Sequence, residues 1–343
     1  MEEGLPKEKH LGKIDNCKLS QQLLDPDSSQ SNKLPSLTPP PLSTIININD
    51  FENVSQRFLS SRAWAYYAST ADNGFVYKEN IESWNRVSFR PRILRNVKDC
   101  NCSTKLVGID SSLPFYIAPA ALAKLAHKDG EAALARAAGR TGIIQALSNN
   151  SSISLEQVSE SRVHKDQPLF FQLYVNQDMQ KTRKLLKRVL KTGAYKALII
   201  TVDAPVSGFR EMDERIKSNA ALEVSSDKDA SIGVNQGTTQ SVAAALFSGT
   251  SPELVWKDLE WIKKEADNMP IIIKGIMTAE DAYMAYKYNC NGIILSNHGG
   301  RQLNCSPQSL LTLLEIRKVC PKIIGKIDIF LDGGIRRGTD IVK

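Results

Sequence analysis

The sequence lacks the features that mark several protein classes. No run of about 18 apolar residues occurs in its 343 residues, so no membrane-spanning helix is predicted. The first ten residues, MEEGLPKEKH, contain acids and no apolar stretch, which predicts neither a secretory signal nor an Arg-rich transit peptide. We therefore expect no membrane partner and no targeting signal in this chain.

The cysteines also lack a pattern of known chemistry. There are six, and none has the spacing of a metal site. Cys100 and Cys102 flank a single residue, which is tighter than the usual C-x2-C knuckle. We therefore predict no metal, and expect reduced thiols in an intracellular enzyme.

The net charge of +7 is not organised for nucleic acid. The 44 basic and 37 acidic residues are dispersed, and the interleaving of arginine with aromatic residues that is typical of RNA-binding modules does not occur. An acidic surface and anionic small molecules are the other two interpretations, and a phosphate-bearing cofactor with a carboxylate substrate would explain several of the arginines. Most of the excess charge is expected on solvated surface.

Composition divides the chain near residue 44. Residues 1–43 are polar, mixed in charge and end in a cluster of prolines, which predicts a disordered tail or hinge. Order is expected to begin near Thr44, with a short strand or turn, a helix led by Asp50, and a second helix that carries Trp64 and Tyr66. Residues 44–343 are expected to form one large domain.

Short apolar runs alternate with helical patterns from Leu113 onward. Seven runs read as strands: LPFYIA, IIQAL, LFFQLYV, ALIITVD, PIIIKG, GIILSN and IDIFLDGG. Continuous apolar runs of this length are typical of parallel strands that are buried on both faces. Seven such units in series favour an α/β fold of the (β/α)8 TIM barrel type. The alternative, an open doubly wound sheet that binds a dinucleotide, lacks its G-x-G-x-x-G turn after the first strand.

Polar residues collect where these strands end. They come from five of the seven strands: Gln172, Tyr174, Thr201, Asp203, Lys274, Asn297, His298 and Asp332. In a barrel, the carboxyl ends of the strands carry the chemistry, whereas the opposite end serves stability. The sequence therefore predicts one site at this rim.

The strongest motif is SNHGGRQL, residues 296–303, directly after a buried strand. His298 offers a base near neutral pH, and Arg301 offers a planar fork for a carboxylate. A histidine after a strand is often only a structural hydrogen-bonding residue. The adjacent arginine and the two glycines favour a functional role for His298, because glycines permit the backbone to approach a ligand closely.

Two further motifs follow strands. LDGGIRRGTD, residues 331–340, combines glycines, arginine and a helix start, which suits a phosphate; a plain turn with surface arginines is the alternative. TVDAPVSGFR, residues 201–210, provides Asp203 and Arg210, and Asp203 could orient the histidine or merely cap a turn. Lys274 would be costly in a core unless it faced an acceptor such as a flavin edge. A Schiff-base lysine of an aldolase or isomerase is the rival interpretation.

Together with YYAS, APAALAKLAHKDGE and FQLYV, these motifs resemble the FMN-dependent 2-hydroxy-acid dehydrogenase family over residues 44–343. WAYY, FRPRILR and REMDERIK look most like the flavin domain of flavocytochrome b2. The resemblance implies an FMN cofactor and oxidation of an L-2-hydroxy acid, with L-lactate favoured, to the 2-keto acid. Electrons would pass to FMN and then to cytochrome c, a haem domain or another acceptor; an oxidase that uses oxygen is the alternative.

The same resemblance implies roles for individual residues. For catalysis it implies a base held by an acid, a carboxylate grip, and a tyrosine near the substrate hydroxyl: His298, Asp203, Arg301, Arg210, Tyr66 and Tyr174. For FMN it implies backbone under the ring, side chains at its edge, a ribityl contact and a phosphate contact: Pro119, Ala120, Ala121, Ser148, Gln172, Thr201, Lys274, Asp332, Gly334 and Arg336.

This sequence departs from the family pattern at several positions. Thr70 stands where glycine is usual and would strain its turn if its φ is positive. Asn304 replaces an aspartate and Phe209 an arginine. Asn149 and Asn150 occupy a stretch that shapes substrate preference, which leaves the side chain of the substrate open.

The last departure is at the end of the sequence. Residues 340–343 fall within the helix predicted after the seventh strand, so we expect an incomplete barrel whose last strand and helix are missing. Its exposed strand edges would then impair folding or FMN binding, and a non-catalytic remnant is a second reading. A complete member would be a homotetramer in the mitochondrial intermembrane space or the cytoplasm, as the resemblance implies.

Overall fold

The computed structural model describes residues 38–215 and 241–343. The chain divides into two units, Met1–Pro40 and Pro41–Lys343, and the second carries the fold. Of the predicted tail, residues 1–37 lie outside the described residues. Residues 38–43 are exposed and enter a 3-10 turn at Leu42–Thr44.

A seven-stranded parallel sheet forms the centre of the molecule. Each strand pairs with the next one along the chain, in the order β3 to β9. The strands are β3 (Tyr116–Ile117), β4 (Ile144–Leu147), β5 (Leu169–Leu173), β6 (Tyr195–Thr201), β7 (Ile271–Ile276), β8 (Gly292–Leu295) and β9 (Asp328–Leu331). The rings of Tyr116 and Phe330, on the first and last of them, lie 5.5 Å apart, so the sheet curls back on itself. Within the described ranges no eighth strand joins β3 to β9, which confirms the predicted incomplete TIM barrel.

Alternate residues of the strands enter two apolar cores. In β6, Ala197 and Ile199 point into the barrel, and Leu198 and Ile200 pack outward beneath the helices. Each of these four side chains is fully buried. This double burial explains the continuous apolar runs of the sequence, since neither face of such a strand meets water.

Helices cover the outside of the sheet and precede it. They are α1 (Ile48–Phe58), α2 (Ser61–Ala68), α3 (Phe75–Asn85), α4 (Gly130–Thr141), α5 (Leu155–Glu160), α6 (Met179–Thr192), α7 (Glu211–Arg215), α8 (Val242–Phe247), α9 (Leu259–Glu265), α10 (Ala279–Lys287), α11 (Ser309–Val319) and α12 (Gly338–Val342). No helix in the described part of the chain has both the length and the apolar character that a membrane crossing requires.

The start of α1 corrects the sequence prediction. Asp50 does not lead the helix; Asn47 is its N-cap, and its side chain accepts hydrogen bonds from the backbone N–H groups of Asn49 and Asp50. Asp50 occupies the third helical position, and its carboxylate accepts a hydrogen bond from the backbone N–H of Asn47. This reciprocal capping box satisfies more free N–H groups than a cap at Asp50 would.

A short antiparallel hairpin was not predicted. It consists of β1 (Thr104–Leu106) and β2 (Ile109–Ser111), joined by Val107 and Gly108. Both connecting residues have positive φ, 46° and 84°, as a tight two-residue turn requires. Leu106 packs into the inner core, and the backbone N–H of Val107 bonds Asp328 at the start of β9. The hairpin therefore covers the end of the barrel opposite the predicted site.

Candidate active site

A cavity of about 330 Å³ opens where the parallel strands end. Its volume lies within the range of small-ligand and cofactor sites, roughly 300–1,000 Å³. Thirteen of the sixteen predicted site residues line it: Tyr66, Pro119, Ala120, Ala121, Ser148, Gln172, Tyr174, Thr201, Arg210, Lys274, His298, Arg301 and Asp332. Strand ends therefore converge on one space, as the sequence pattern predicts.

Asp203 lies directly behind the cavity and holds His298. Its Oδ1 is 3.0 Å from His298 Nδ1, and its side chain is 1% exposed. His298 follows β8 with a left-handed backbone, φ 59°. Gly275 makes room for the acid, because a Cβ there would stand 2.5 Å from the Cβ of Asp203. The arrangement points His298 Nε2 toward Tyr174, whose hydroxyl is 3.5 Å away.

The surroundings of His298 favour its neutral form, which can accept a proton. Burial lowers the pKa of the imidazole and outweighs the attraction of Asp203. Burial opposes charge on Asp203 as well, but His298 and Lys274 hold the pKa of that carboxyl below its usual value. The Asp203 carboxylate accepts a hydrogen bond from Nδ1–H, so Nε2 is the ring nitrogen with a free lone pair. The pair can therefore accept one proton from a molecule in the cavity.

Two arginines lie beside this pair, and the backbone fixes both. Arg301 donates to the carbonyl oxygens of Tyr66, Tyr67 and Ser69 at 2.6–2.8 Å, which caps the end of α2. Three of its five N–H donors are used in this way, so two are left for a ligand. Arg210 donates to the carbonyl of Arg301 at 3.1 Å.

Burial, and then the charge of Arg301, lower the pKa of Arg210 to about 10. That value still leaves the Arg210 guanidinium charged at neutral pH. Two fixed cations beside a neutral base form a site for an anionic group, because a carboxylate matches a guanidinium fork.

Four polar side chains, which we call the polar row, line the floor of the cavity: Ser148, Gln172, Thr201 and Lys274. Ser148 donates to Gln172 at 3.2 Å, and Gln172 donates to Thr201 at 3.0 Å. Lys274 donates to Ser296 at 2.9 Å and lies 3.4 Å from Asp332. Burial works against the charge of Lys274, yet Asp332 and Asp203 raise its pKa above the usual value. Lys274 is therefore a buried ammonium group.

The residues present fit FMN. The row offers hydroxyl, amide and ammonium groups that suit the edge of a flat heterocycle, and residues 118–121 line the same cavity. Asp332 Oδ1 is buried and has no hydrogen-bond partner among the described residues, as a group waiting for a ribityl hydroxyl would be. Bound FMN would supply the two-electron acceptor of the site.

Glu131 fixes the two loops that line this side of the cavity. It is 1% exposed and accepts hydrogen bonds from the backbone N–H groups of Ala123 and Ser152, both at 2.9 Å. Ser152 Oγ also donates to it and accepts from the backbone of Lys124 at 2.9 Å. One buried carboxylate therefore joins the loop after β3 to the loop after β4.

Replacing Glu131 with alanine should lower the free energy of unfolding by about 2–5 kcal/mol, because two buried N–H groups lose their acceptor. Glu131→Gln should lose less, since one oxygen remains. Urea denaturation followed by circular dichroism measures both. Glu160→Ala, at the exposed end of α5, is the control; an equal loss in the two alanine variants would contradict this role.

The two residues that are predicted to bind the phosphate of FMN, Gly334 and Arg336, do not line the cavity. Arg336 donates to the hydroxyl of Tyr77 at 2.7 Å and pairs with Glu52 at 3.3 Å. Gly334 packs on α3, since a Cβ there would stand 2.3 Å from the backbone oxygen of Asn80. The turn they share nevertheless adjoins the cavity through Gly333. Their phosphate role stays a prediction.

The departures from the family pattern have local explanations. Thr70 is not among the described residues with positive φ; Asp72 and Gly74 take that conformation, so the expected strain does not arise. The side chain of Asn304 accepts from the backbone of Val76 at 3.2 Å and thereby fixes the start of α3. Phe209 is 59% exposed.

Sequence reasoning missed the wall that α8 provides. Leu246 and Phe247 line the cavity, and the Phe247 ring lies 5.2 Å from that of Tyr174 and 6.2 Å from that of His298. Tyr67 also lines it and donates to the carbonyl of Leu122 at 2.7 Å. The apolar stretch SVAAALF, residues 241–247, was the available signal, but it follows no strand.

The fold and the cavity together indicate the class of protein. This is an incomplete TIM barrel that carries a base, an acid, two arginines and a cofactor-sized cavity at the carboxyl ends of its strands, where enzymes of this fold carry their active sites.

The family model of the FMN-dependent dehydrogenases matches residues 55–343, and the chain belongs to that family. The family and the FMN cofactor predicted from the sequence are thus confirmed.

Individual proteins of this kind are similar to the chain over most of its length. The chain is 40% identical over 347 residues to L-lactate dehydrogenase (cytochrome) of Wickerhamomyces anomalus, covering 100% of this chain and 59% of the relative. It is 38% identical over 302 residues to glycolate oxidase 3 of Arabidopsis thaliana, covering 87% and 80%. The solved flavin-binding domain of baker's yeast flavocytochrome b2 superposes with a TM-score of 0.76 at 36% identity, covering 88% and 72%. The chain thus spans about three fifths of the first relative.

Proposed function

We propose that this protein oxidises an L-2-hydroxy acid to the 2-keto acid with FMN as the immediate electron acceptor. The observation that carries the proposal is His298, held by Asp203 at 3.0 Å, in one cavity with Arg210, Arg301 and the polar row that fits a flavin. A base beside a carboxylate grip is what removal of a proton from a hydroxy acid requires.

The residues of the chain divide the work of binding and proton transfer. The two remaining N–H donors of Arg301, with Arg210, hold the substrate carboxylate, and the hydroxyl of Tyr66 donates a hydrogen bond to the same group. His298 Nε2 accepts a substrate proton, and Asp203 stabilises the imidazolium that forms. Tyr174 lies beside Nε2, where it can bond the substrate hydroxyl and then the carbonyl oxygen. Oxidation removes two protons and two electrons from the substrate: His298 would take one proton, and bound FMN would take the two electrons together with the other proton.

The remaining predicted residues hold the cofactor in this proposal. Residues 119–121 would lie against the ring, and Ser148, Gln172, Thr201 and Lys274 would bond its edge. The buried ammonium of Lys274 would stabilise negative charge on that edge. Asp332 would accept a hydrogen bond from a ribityl hydroxyl. Gly334 and Arg336 would bind the phosphate, for which Arg336 would share or exchange its contact with Glu52.

The state of Lys274 argues against the Schiff-base alternative. An amine must be neutral to attack a carbonyl, and enzymes lower the pKa of such a lysine. Here the nearby carboxylates raise it. A borohydride trap in the presence of keto acids should therefore leave Lys274 unmodified.

L-lactate is the favoured substrate and cytochrome c the favoured acceptor, in line with the name of the Wickerhamomyces relative. Oxygen is the alternative acceptor, in line with the glycolate oxidase. Parallel assays of peroxide release and cytochrome c reduction distinguish them. The proposal includes a homotetramer in the mitochondrial intermembrane space or the cytoplasm, which light scattering and cell fractionation test, and a domain boundary near residue 44, which limited proteolysis tests.

The test of the function is anaerobic reduction of the bound flavin. FMN-loaded protein should lose its visible flavin absorption on addition of L-lactate and keep it with D-lactate. Glycolate and mandelate extend the panel to other 2-hydroxy acids. Bleaching with none of them would contradict the proposal and favour a non-catalytic binding module.

Arg301→Lys should lower kcat/KM by about a hundredfold, mostly through KM. A lysine cannot donate to three carbonyl oxygens and a carboxylate at once, because it lacks the planar fork. Steady-state kinetics against L-lactate measure the loss. Arg317→Lys, on the helix α11, is the matched control. An unchanged KM in Arg301→Lys would remove Arg301 from the carboxylate site.

A further inference from the structure

The helix α3 lies between the two glycine turns of the site. A Cβ at Gly300, after the base, would stand 2.8 Å from the backbone nitrogen of Tyr77. A Cβ at Gly334, in the other turn, would stand 2.3 Å from the backbone oxygen of Asn80. Because side chains at these glycines would collide with α3, one helix sets the distance between the turn of His298 and the turn predicted to hold phosphate.

A reciprocal amide pair joins this helix to the base. Asn80 Nδ2 donates to Asn297 Oδ1 at 2.9 Å, and Asn297 Nδ2 donates back to Asn80 Oδ1 at 2.8 Å. Both side chains are 2% exposed. Two shared hydrogen bonds between buried amides fix relative position and orientation more tightly than one bond does.

Asn297 transmits this constraint to the turn of His298. It precedes the base in sequence, and its side chain also accepts from the backbone N–H of Gly300 at 3.0 Å and donates to the carbonyl of Pro307 at 3.0 Å. The enclosed backbone is unusual, with φ 59° at His298 and 65° at Gly299. A non-glycine residue in this conformation persists only where its surroundings enforce it.

The side chain of Asn80 also touches the other turn. A Cβ at Gly333 would stand 3.1 Å from Asn80 Nδ2, and Gly333 lines the cavity beside Asp332. Asn80 itself does not line the cavity. Its effect on the site must therefore pass through Asn297 or through the turn at Gly333, and of the two only Asn297 shares hydrogen bonds with the Asn80 side chain among the described residues.

We propose that Asn80 is a positioning residue: through Asn297 it holds the strained turn that aims His298 Nε2 into the cavity. The inference rests on the proposed function for its effect on turnover, and on the geometry alone for its effect on the turn. Loss of the amide should lower kcat while FMN remains bound.

A double-mutant cycle tests the route through Asn297. Asn80→Ala should lower kcat about tenfold in the wild-type background and less than about twofold in an Asn297→Ala background, because the second change has already broken the shared bonds. Asn80→Asp keeps the shape and one of the two bonds, and it should retain more activity than alanine. Thermal melting and FMN absorption confirm that each variant is folded and loaded.

Ser83→Ala is the matched control. Ser83 is buried on the same helix, and among the described residues its hydroxyl donates to the carbonyl of Asn80 within that helix. Hydrogen exchange of residues 296–301 in FMN-free protein gives a readout that needs no turnover. Exchange should quicken in Asn80→Ala and stay near wild type in Ser83→Ala.

The outcomes separate the two proposals. Equal exchange in the two alanine variants, or an Asn80→Ala loss that is the same in both backgrounds, would overturn the positioning role. A wild-type protein that turns over none of the 2-hydroxy acids would overturn the proposed function, and the exchange measurement would still decide the role of Asn80.

Discussion

Replacing His298 with glutamine should lower kcat/KM for L-lactate by about 10²–10⁴-fold, with FMN still bound. Glutamine preserves polarity and approximate size but cannot accept a proton at neutral pH. Arg301, Arg210 and the polar row remain, so binding of substrate and cofactor should change little. Stopped-flow flavin reduction measures the chemical step directly, and FMN titration measures cofactor retention.

The control for this substitution is His164→Gln, at an exposed position outside the cavity. It should reduce flavin at the wild-type rate. Because burial lowers the pKa of His298, the wild-type kcat/KM should rise with pH, and the midpoint of that rise should lie below the ordinary imidazole value of about 6.5. An acid limb centred above that value, or a His298→Gln variant with wild-type rates, would remove the histidine from its role.

Asp203→Asn should lower kcat/KM by a similar factor, about 10²–10⁴-fold. The amide keeps the shape of the side chain but carries no charge to stabilise the imidazolium. Its NH2 group can also donate to Nδ1, which would place the ring proton on Nε2 and block the base. Since the carboxylate attracts the proton, its loss should lower the pKa of His298 further and move the acid limb to lower pH.

The pH profile distinguishes this role from a loss of structure. Asp203→Asn should keep FMN, show a lower plateau and show a displaced limb. Asp213→Asn is a useful comparison, because Asp213 is a buried acid that does not contact His298. Its carboxylate accepts a hydrogen bond from the backbone N–H of Ala243. A profile unchanged in shape for Asp203→Asn would mean that Asp203 does not act through His298.

Much of the site follows from the sequence because parallel strands end at a common edge. Thr201, Lys274 and Asp332 lie far apart in the chain, yet each stands at or just after the end of a buried run. Once the runs are assigned to one parallel sheet, their end residues must meet. The central strands could be assigned because burial on both faces makes runs such as those of β4, β5 and β8 continuously buried.

The supports of the site could not be predicted in this way. The Asn80 and Asn297 amides are 217 residues apart, and nothing local in KENIESWN indicates that one of its asparagines meets the base turn. The three carbonyl contacts of Arg301 likewise depend on where α2 ends. Such contacts arise from the packing of α2 and α3 on the barrel rim, which periodicity does not encode.

The hairpin and the phosphate turn show two further limits. Three-residue strands such as Thr104–Leu106 are too short to show alternation, so only the Val107 and Gly108 turn could have signalled the hairpin. For Arg336, the motif indicated its chemistry but not its neighbours. Glu52 on α1 meets it across more than 280 positions of sequence (336 minus 52 is 284).

The most direct test is a crystal structure of the FMN-loaded protein with a bound 2-keto acid such as pyruvate. The account predicts the ligand on one face of the flavin, its carboxylate on Arg301 and Arg210, and its carbonyl oxygen within hydrogen-bonding distance of His298 Nε2 or Tyr174. A ligand that binds elsewhere, or a flavin that lies away from these side chains, would contradict the account.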